Sequence, residues 1–414
     1  MLNSAGPIGT GDRAQILDVL RGFALLGILI SHVPTISGYE FLPPDGKDAV
    51  DGWEGGAWLR HASEFFVRGK FFSLFSLLFG IGFAIQIESA ARQAVPFARR
   101  FVRRMLGLLA IGVAHSLLWF GDILVYYAVL GLVLIPMADW NARRMARVAV
   151  GAFSLRFVWA LGWFGLAPLL LAFAPDSVQG AASEPASGGG LMNLVENFAG
   201  TDPTASFYAN LDFLKLKFLQ MLYDGKFVSV FGMFMLGAAI GKSGIFRHLD
   251  HHRPLLHRVF IIAAPVGLVG NAVLIPLHAI TPVFPPSALR VLENAVFAVS
   301  IPSLTLAYAS GLSLLWLRPG AQRWLRPFAA PGQMALTTYL SHTLVLTLLF
   351  YGWGLGWMFE IGQAECMMVA FLLFASQIFG SRLWFSYFRY GPVEWAWRCS
   401  TYGAWLPLRN PASG

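Results

Sequence analysis

Ten apolar runs, each near the length of a hydrocarbon core, divide the chain: about 15–36, 65–88, 105–120, 122–138, 148–173, 226–242, 259–279, 290–317, 332–351 and 362–380. A helix needs roughly 20 apolar residues to cross a bilayer, because each residue rises about 1.5 Å through a core about 30 Å thick. In lipid every backbone N–H and C=O must be paired internally, so runs of this length and spacing read as helices. The expected fold is therefore an all-α polytopic membrane protein with about ten transmembrane helices, forming one transmembrane domain over residues 1–414. Only 13% of the residues are charged, about half the share of a soluble domain. The lipid bilayer is the first expected partner.

The loops sort by charge. Those at 89–104, 138–147, 242–258, 318–326 and 381–414, with Arg13 and Arg21, hold 21 Lys or Arg against eight in the alternate set. Cytoplasmic loops carry the excess of Lys and Arg, so both termini are expected in the cytoplasm. Segments 37–64 and 174–225 are then non-cytoplasmic, and 381–414 is a cytoplasmic amphipathic tail. The net charge of +8 is spread over these loops as insertion requires, and gives no reason to expect nucleic acid. Charges interrupt the start of the first run and no small-residue cleavage site follows it, so it does not read as a cleavable signal. Cys366 and Cys399 fall in an apolar span and an arginine-rich tail and are not expected to pair. Segment 174–225 opens with low-complexity sequence and turns amphipathic at "FYANLDFLKLKFLQML". It reads either as a connector with an interfacial helix or as a surface helix bordering a site entrance.

"GKFFSLF" at 69–75 recurs as "GKFVSVF" at 225–231. Four spans separate the copies, so the repeat is parallel, and such repeats suggest duplicated halves with a site between them. Chance likeness in a Phe-rich chain is the alternative. Lys70 and Lys226 would lie at the outer mouth of each half, snorkelling or meeting an anionic group on an acceptor.

Polar groups inside spans are costly and mark interior or wet positions. In "LDVLRGFALLGILISH" (17–32), Arg21 and His32 lie about 20° from alignment on one helix face, roughly 16 Å apart along the axis. Asp18, one turn before Arg21, is placed to pair with it. Gly22, Ala24 and Gly27 between them admit close approach of a chain or a ligand. In "HSLLWFGDILVYYA" (115–128), His115 and Asp122 would share a face if the helix persisted to the turn. An imidazole steered by a carboxylate makes a general base. His342 sits mid-span with Tyr339 beside it. Each histidine has a structural alternative, a hydrogen bond between helices. The His-rich "HLDHHRPLLH" (248–257) falls in a cytoplasmic loop and reads as solvated, so no metal site is expected. The arginines at 99, 100, 103 and 104 form the densest basic patch. They serve topology and anionic lipids, or receive a phosphorylated cofactor.

"LDVLRGFALLGILISH", "KFFSLFSLLFGIGFAIQ", "HSLLWFGDILVYYAVLGL", "GQMALTTYLSH" and "FRYGPVEWAWRCSTYG" occur in order over nearly the whole chain. Together they resemble the YeiB family of bacterial inner-membrane proteins. The opening span is similar to those of the acyltransferase-3 membrane proteins, with Arg, ten residues, then His, and of the lysosomal acetyl-CoA:glucosaminide N-acetyltransferase. YeiB relatives more often carry Asn at the His32 position, so the chain departs toward the acyltransferase-3 pattern.

The resemblance implies a ten-span acyl transferase of the bacterial inner membrane. Its co-substrate would be cytoplasmic acetyl-CoA or another acyl-CoA, and its acceptor a hydroxyl or amine of a glycan or small molecule. Arg21 with Asp18, Arg13, Arg103 and Arg104 would meet the nucleotide phosphates. His32 or His115, the latter with Asp122, would be the base, and Tyr339 and His342 would serve substrate or oxyanion. In "GPVEWAWRCSTYG", Pro392 opens a helix and Glu394 and Arg398 fall at pairing distance, i and i+4. A transporter or lipid flippase is the competing function, and oligomerisation is left open.

Overall fold

The computed structural model describes residues 12–53, 55–173, 189–281 and 287–410, and among these the regular elements are helices. In chain order they are α1 (Asp12–Ile36), α2 (Pro44–Asp51), α3 (Gly55–Phe66), α4 (Lys70–Arg92), α5 (Phe97–Leu118), α6 (Leu124–Val133) and α7 (Ala142–Ala172). Then follow α8 (Gly189–Ala199), α9 (Pro203–Tyr223), α10 (Lys226–Ser243), α11 (Arg253–Ile280) and α12 (Ala288–Trp316). After a single turn at Gln322–Leu325 come α13 (Ala329–Gln333), α14 (Ala335–Phe350), α15 (Gln363–Tyr387) and α16 (Pro392–Tyr402). Eight helical stretches among the described residues are long and apolar enough to cross a membrane, and the protein is a polytopic membrane protein. The low-complexity part of segment 174–225 falls largely outside the described residues.

Two expected spans differ. The run 332–351 is a broken crossing, in which Gln322–Gln333 and Ala335–Phe350 meet at 81°. The run 122–138 holds a helix only over Leu124–Val133, about 15 Å long and too short to span alone. Trp119 is extended at its entry (φ −151°, ψ 125°), and Pro136 follows at the start of a 3-10 turn. Proline has no N–H to continue an α-helical ladder.

α1 runs through the middle of the bundle, against α4, α13, α14 and α15, while α11 and α12 form a hairpin packed on α4 and α7. The repeat marks a helix start: Gly69 (φ 82°) and Gly225 (φ 62°) precede α4 and α10 in the left-handed region that glycine adopts freely. The two helices lie parallel and touch backbone to backbone. A Cβ on Gly80 would lie 2.1 Å from the Phe234 carbonyl, and one on Gly237 2.0 Å from that of Leu77. Small residues serve such seams in membranes, where dispersion rather than the hydrophobic effect holds helices together. The seam between these two helices is tight packing. Lys70 is buried and donates to the Glu64 carbonyl at 2.7 Å, whereas Lys226 is half-buried and pairs with Asp224 at 3.2 Å. The two lysines are not equivalent.

The loops gather at two ends. At the basic end Lys242 donates to the Trp140 carbonyl, Arg247 pairs with Glu88, and Arg104 stacks on Trp397. At the other end buried Asp51 accepts from Tyr39, Arg60 and the Gln363 N–H, tying segment 37–64 to the start of α15. Burial in this knot pushes the Tyr39 phenol up.

Candidate functional site

α5 stops at Leu118 and the chain reverses through Gly121, which returns Asp122 to the side chain of His115. The pair forms across this turn, not along a continuing helix as the spacing suggests. His115 Nδ1 lies 2.8 Å from Asp122 Oδ1, and Asp122 Oδ2 accepts the Val125 N–H at 2.9 Å. His115 Nε2 lies 2.9 Å from Thr343 Oγ1 on α14. A carboxylate only accepts, so the network assigns the proton to Nδ1 and leaves Nε2 to accept from the threonine hydroxyl. His115 and Asp122 are 6% and 2% exposed, so the pair is shielded from competing water.

His32 comes to the same place from α1. Its ring centroid is 4.4 Å from that of Trp119 and 5.8 Å from that of Tyr339; His115 lies 5.1 Å from Tyr339 and 6.2 Å from Trp119. The two imidazoles thus flank the same two rings. His342, one turn beyond Tyr339, pairs Nε2 with Gln377 Oε1 at 2.9 Å. Nine buried side-chain polar atoms of the described residues have no hydrogen-bond partner, and four of them belong here: His32 Nδ1, Trp119 Nε1, Tyr339 Oη and His342 Nδ1. Unpaired buried polar groups are rare and costly. Their convergence makes this cluster the candidate site.

α9, the amphipathic helix of segment 174–225, lies against this turn. Asn210 donates to the Ser116 carbonyl at 2.6 Å, and Lys217 donates to the carbonyls of Phe120 and Asp122, each at 3.1 Å. Burial pushes the Lys217 ammonium down to about 8. The helix expected on the surface is docked on the candidate site.

At the basic end of α1, Arg21 donates to Asp18 at 2.7 Å, the pair its spacing predicts. Arg104 stacks on Trp397 at 3.7 Å, and Trp397 Nε1 donates to the Arg104 carbonyl at 2.7 Å. Arg398 lies within electrostatic reach of both Asp18 and Arg104. The expected Glu394–Arg398 pair does not form. Arg398 stands over the Tyr390 ring at 4.8 Å, and Glu394 instead accepts from the N–H groups of Leu336 and Thr337 at 2.6 and 3.1 Å and from Thr337 Oγ1 at 2.5 Å. Free N–H groups at a helix start outcompete a solvated guanidinium for a buried carboxylate. Burial raises the Glu394 carboxyl despite these donors. Glu394 therefore fixes the start of α14, the helix that carries Tyr339, His342 and Thr343.

The family described as "Protein of unknown function (DUF418)" matches residues 240–404. "Uncharacterized protein YxaH" of Bacillus subtilis (strain 168) is 29% identical over 426 residues, covering 98% of each chain. "Uncharacterized protein YeiB" of Escherichia coli (strain K12) is 30% identical over 410 residues, covering 97% of this chain and 100% of that protein. The chain belongs to the YeiB family. No solved structure matches it.

Within this YeiB-family fold the candidates divide into two groups. His32, His115, Asp122, Tyr339 and His342 converge in one cluster, and Arg21, Asp18 and Arg104 with Arg398 gather at the basic end. Arg103 is exposed at the edge of that group, against Gly403. Arg13 begins α1, but its side chain is outside the described residues. Neither Lys70 nor Lys226 is hydrogen-bonded to the histidine cluster. The stripe Gly22, Ala24, Gly27 is taken up by the protein itself. A Cβ on Gly22 would lie 1.9 Å from the Phe328 carbonyl, one on Gly27 would lie 2.0 Å from the Phe71 ring, and Ala24 is fully buried. This stripe is a packing seam. Trp119, Lys217 and Arg398 are the residues that sequence reasoning did not assign to the site, and it gave no reason to pair Thr343 with His115. Thr343 is 228 residues from His115, so no local spacing could pair them.

Proposed function

We propose that this YeiB-family chain is an acyltransferase of the bacterial inner membrane. It moves an acyl group, acetyl being the first to test, from cytoplasmic acyl-CoA to a hydroxyl or amine of a glycan or small molecule on the outer side. The observation that carries the reading is the set of unpaired buried polar atoms gathered around a carboxylate-steered histidine. In this reading His115 Nε2 takes the acceptor's proton as its oxygen or nitrogen attacks the thioester carbonyl. Asp122 holds the tautomer and supports the imidazolium. The Tyr339 hydroxyl, whose ring lies beside both imidazoles, faces the oxyanion as the carbon–sulfur bond breaks. His115 returns its proton to the departing thiolate. His32 closes the opposite side of the two rings and orients the acyl group. Arg21, Arg104 and Arg398 supply charge-assisted hydrogen bonds to the phosphates of the co-substrate.

The test uses inverted membrane vesicles holding wild type or His115→Ala, supplied with acetyl-CoA labelled in the acetyl group. The expected result is label in a product inside wild-type vesicles and none with His115→Ala. Equal label in both overturns the reading.

A further inference from the structure

A groove of about 760 Å³ opens on the outer wall of the bundle between α6, α7 and α10. Val133, Val148, Leu155 and Phe231 are among its apolar lining, and Arg144 and Arg147 stand at one end. α6 does not pack closely along α7, and the space between them and α10 stays open. Leu155 in its lining is exposed, and the groove opens sideways toward lipid. Arg144 stacks on Trp140 at 3.9 Å, in the aromatic position that marks a membrane interface. No ion pair with a carboxylate of the described residues engages Arg144 or Arg147. From Arg144 to Leu155 the helix rises about 16 Å, close to the half-thickness of a hydrocarbon core.

We infer that this groove is a binding site for an anionic phospholipid of the cytoplasmic leaflet. One acyl chain lies along α7 and the phosphate meets Arg144 and Arg147. The chemistry selects this occupant on two counts: the length matches one chain of one leaflet, and two guanidiniums without carboxylate partners stand where the headgroup would be. The site lies on the lipid-facing wall, outside the histidine cluster, and does not depend on acyl transfer.

Gly151 offers a clean probe, because a Cβ there meets nothing within 4 Å. A side chain there starts in open space on the groove wall, and replacing glycine favours the helix. The full chain, purified in detergent and stripped of lipid, is given phosphatidylglycerol or phosphatidylcholine and examined by native mass spectrometry. Wild type is expected to retain phosphatidylglycerol about thirtyfold more strongly, from two arginines at the surface. Arg144→Gln/Arg147→Gln erases that preference, and Gly151→Phe expels both lipids while melting like wild type. Equal retention of the two lipids by wild type overturns the inference, as does undiminished phosphatidylglycerol on Gly151→Phe. A lipid-free dimer broken by Gly151→Phe also overturns it, since a second copy would then occupy the groove.

Discussion

Replacing Asp122 by asparagine keeps the side chain's size and asks whether its charge sets the tautomer of His115. The carboxylate spends one oxygen on His115 Nδ1 at 2.8 Å and the other on the Val125 N–H at 2.9 Å. Asparagine has one oxygen. With that oxygen on Val125, its amide donates to Nδ1, the imidazole proton moves to Nε2, and the nitrogen facing Thr343 is no longer a base. One charge-assisted hydrogen bond becomes an ordinary one, at a cost of about 1–3 kcal/mol. Alanine removes both bonds, strands a buried Nδ1–H and uncaps α6, at a cost of about 3–5 kcal/mol. Turnover falls about 10²- to 10⁴-fold in both variants, because each removes the steered base. Unfolding by dodecyl sulfate titration in mixed micelles measures stability, and release of free CoA thiol from acetyl-CoA measures turnover. An Asp122→Asn protein with wild-type turnover would refute the tautomer argument, and one with wild-type stability would refute the network.

The same micelle titration checks four further outcomes. Gly237→Ala forces a Cβ onto the Leu77 carbonyl and is expected to cost about 1–3 kcal/mol, whereas Gly151→Ala gains about 0.5–1 kcal/mol. Glu394→Ala leaves three donors at the start of α14 without their acceptor and is expected to cost about 3 kcal/mol; an unchanged titration refutes the cap. For Lys217, burial holds the folded ammonium at about 8, against about 10.4 in the unfolded chain. Between those values the unfolded state binds the extra proton, so its contribution makes stability rise with pH across that window. Lys217→Met is expected to flatten the rise.

Much of the fold was legible because the bilayer imposes it. The length and charge of the runs that became α1, α7, α11 and α12 were sufficient to place them. What failed was local. The run through α6 is apolar enough to span, but the chain reversal before Leu124 and the Pro136 turn after Val133 leave it ten helical residues, and those breaks outrank hydropathy. The i, i+4 rule paired Glu394 with Arg398 because it knows only one helix; the N–H groups that won belong to α14. Gly22 and Gly27 correctly signalled close approach, though not that Phe328 and Phe71 make it. At the site, the His115–Asp122 spacing foretold a pair whose actual cause is a chain reversal. Thr343, Trp119 and the docking of Lys217 needed three dimensions.

The central claim is that the basic end of α1 receives an acyl-CoA whose acyl group is processed at the histidine cluster. Binding of acetyl-CoA to the detergent-purified chain tests it most directly, with wild type beside Arg21→Ala and His32→Ala. The account predicts saturable binding by wild type, weakened binding by Arg21→Ala, and retained binding by His32→Ala. A wild-type chain with no saturable binding of acetyl-CoA or of longer acyl-CoAs contradicts it.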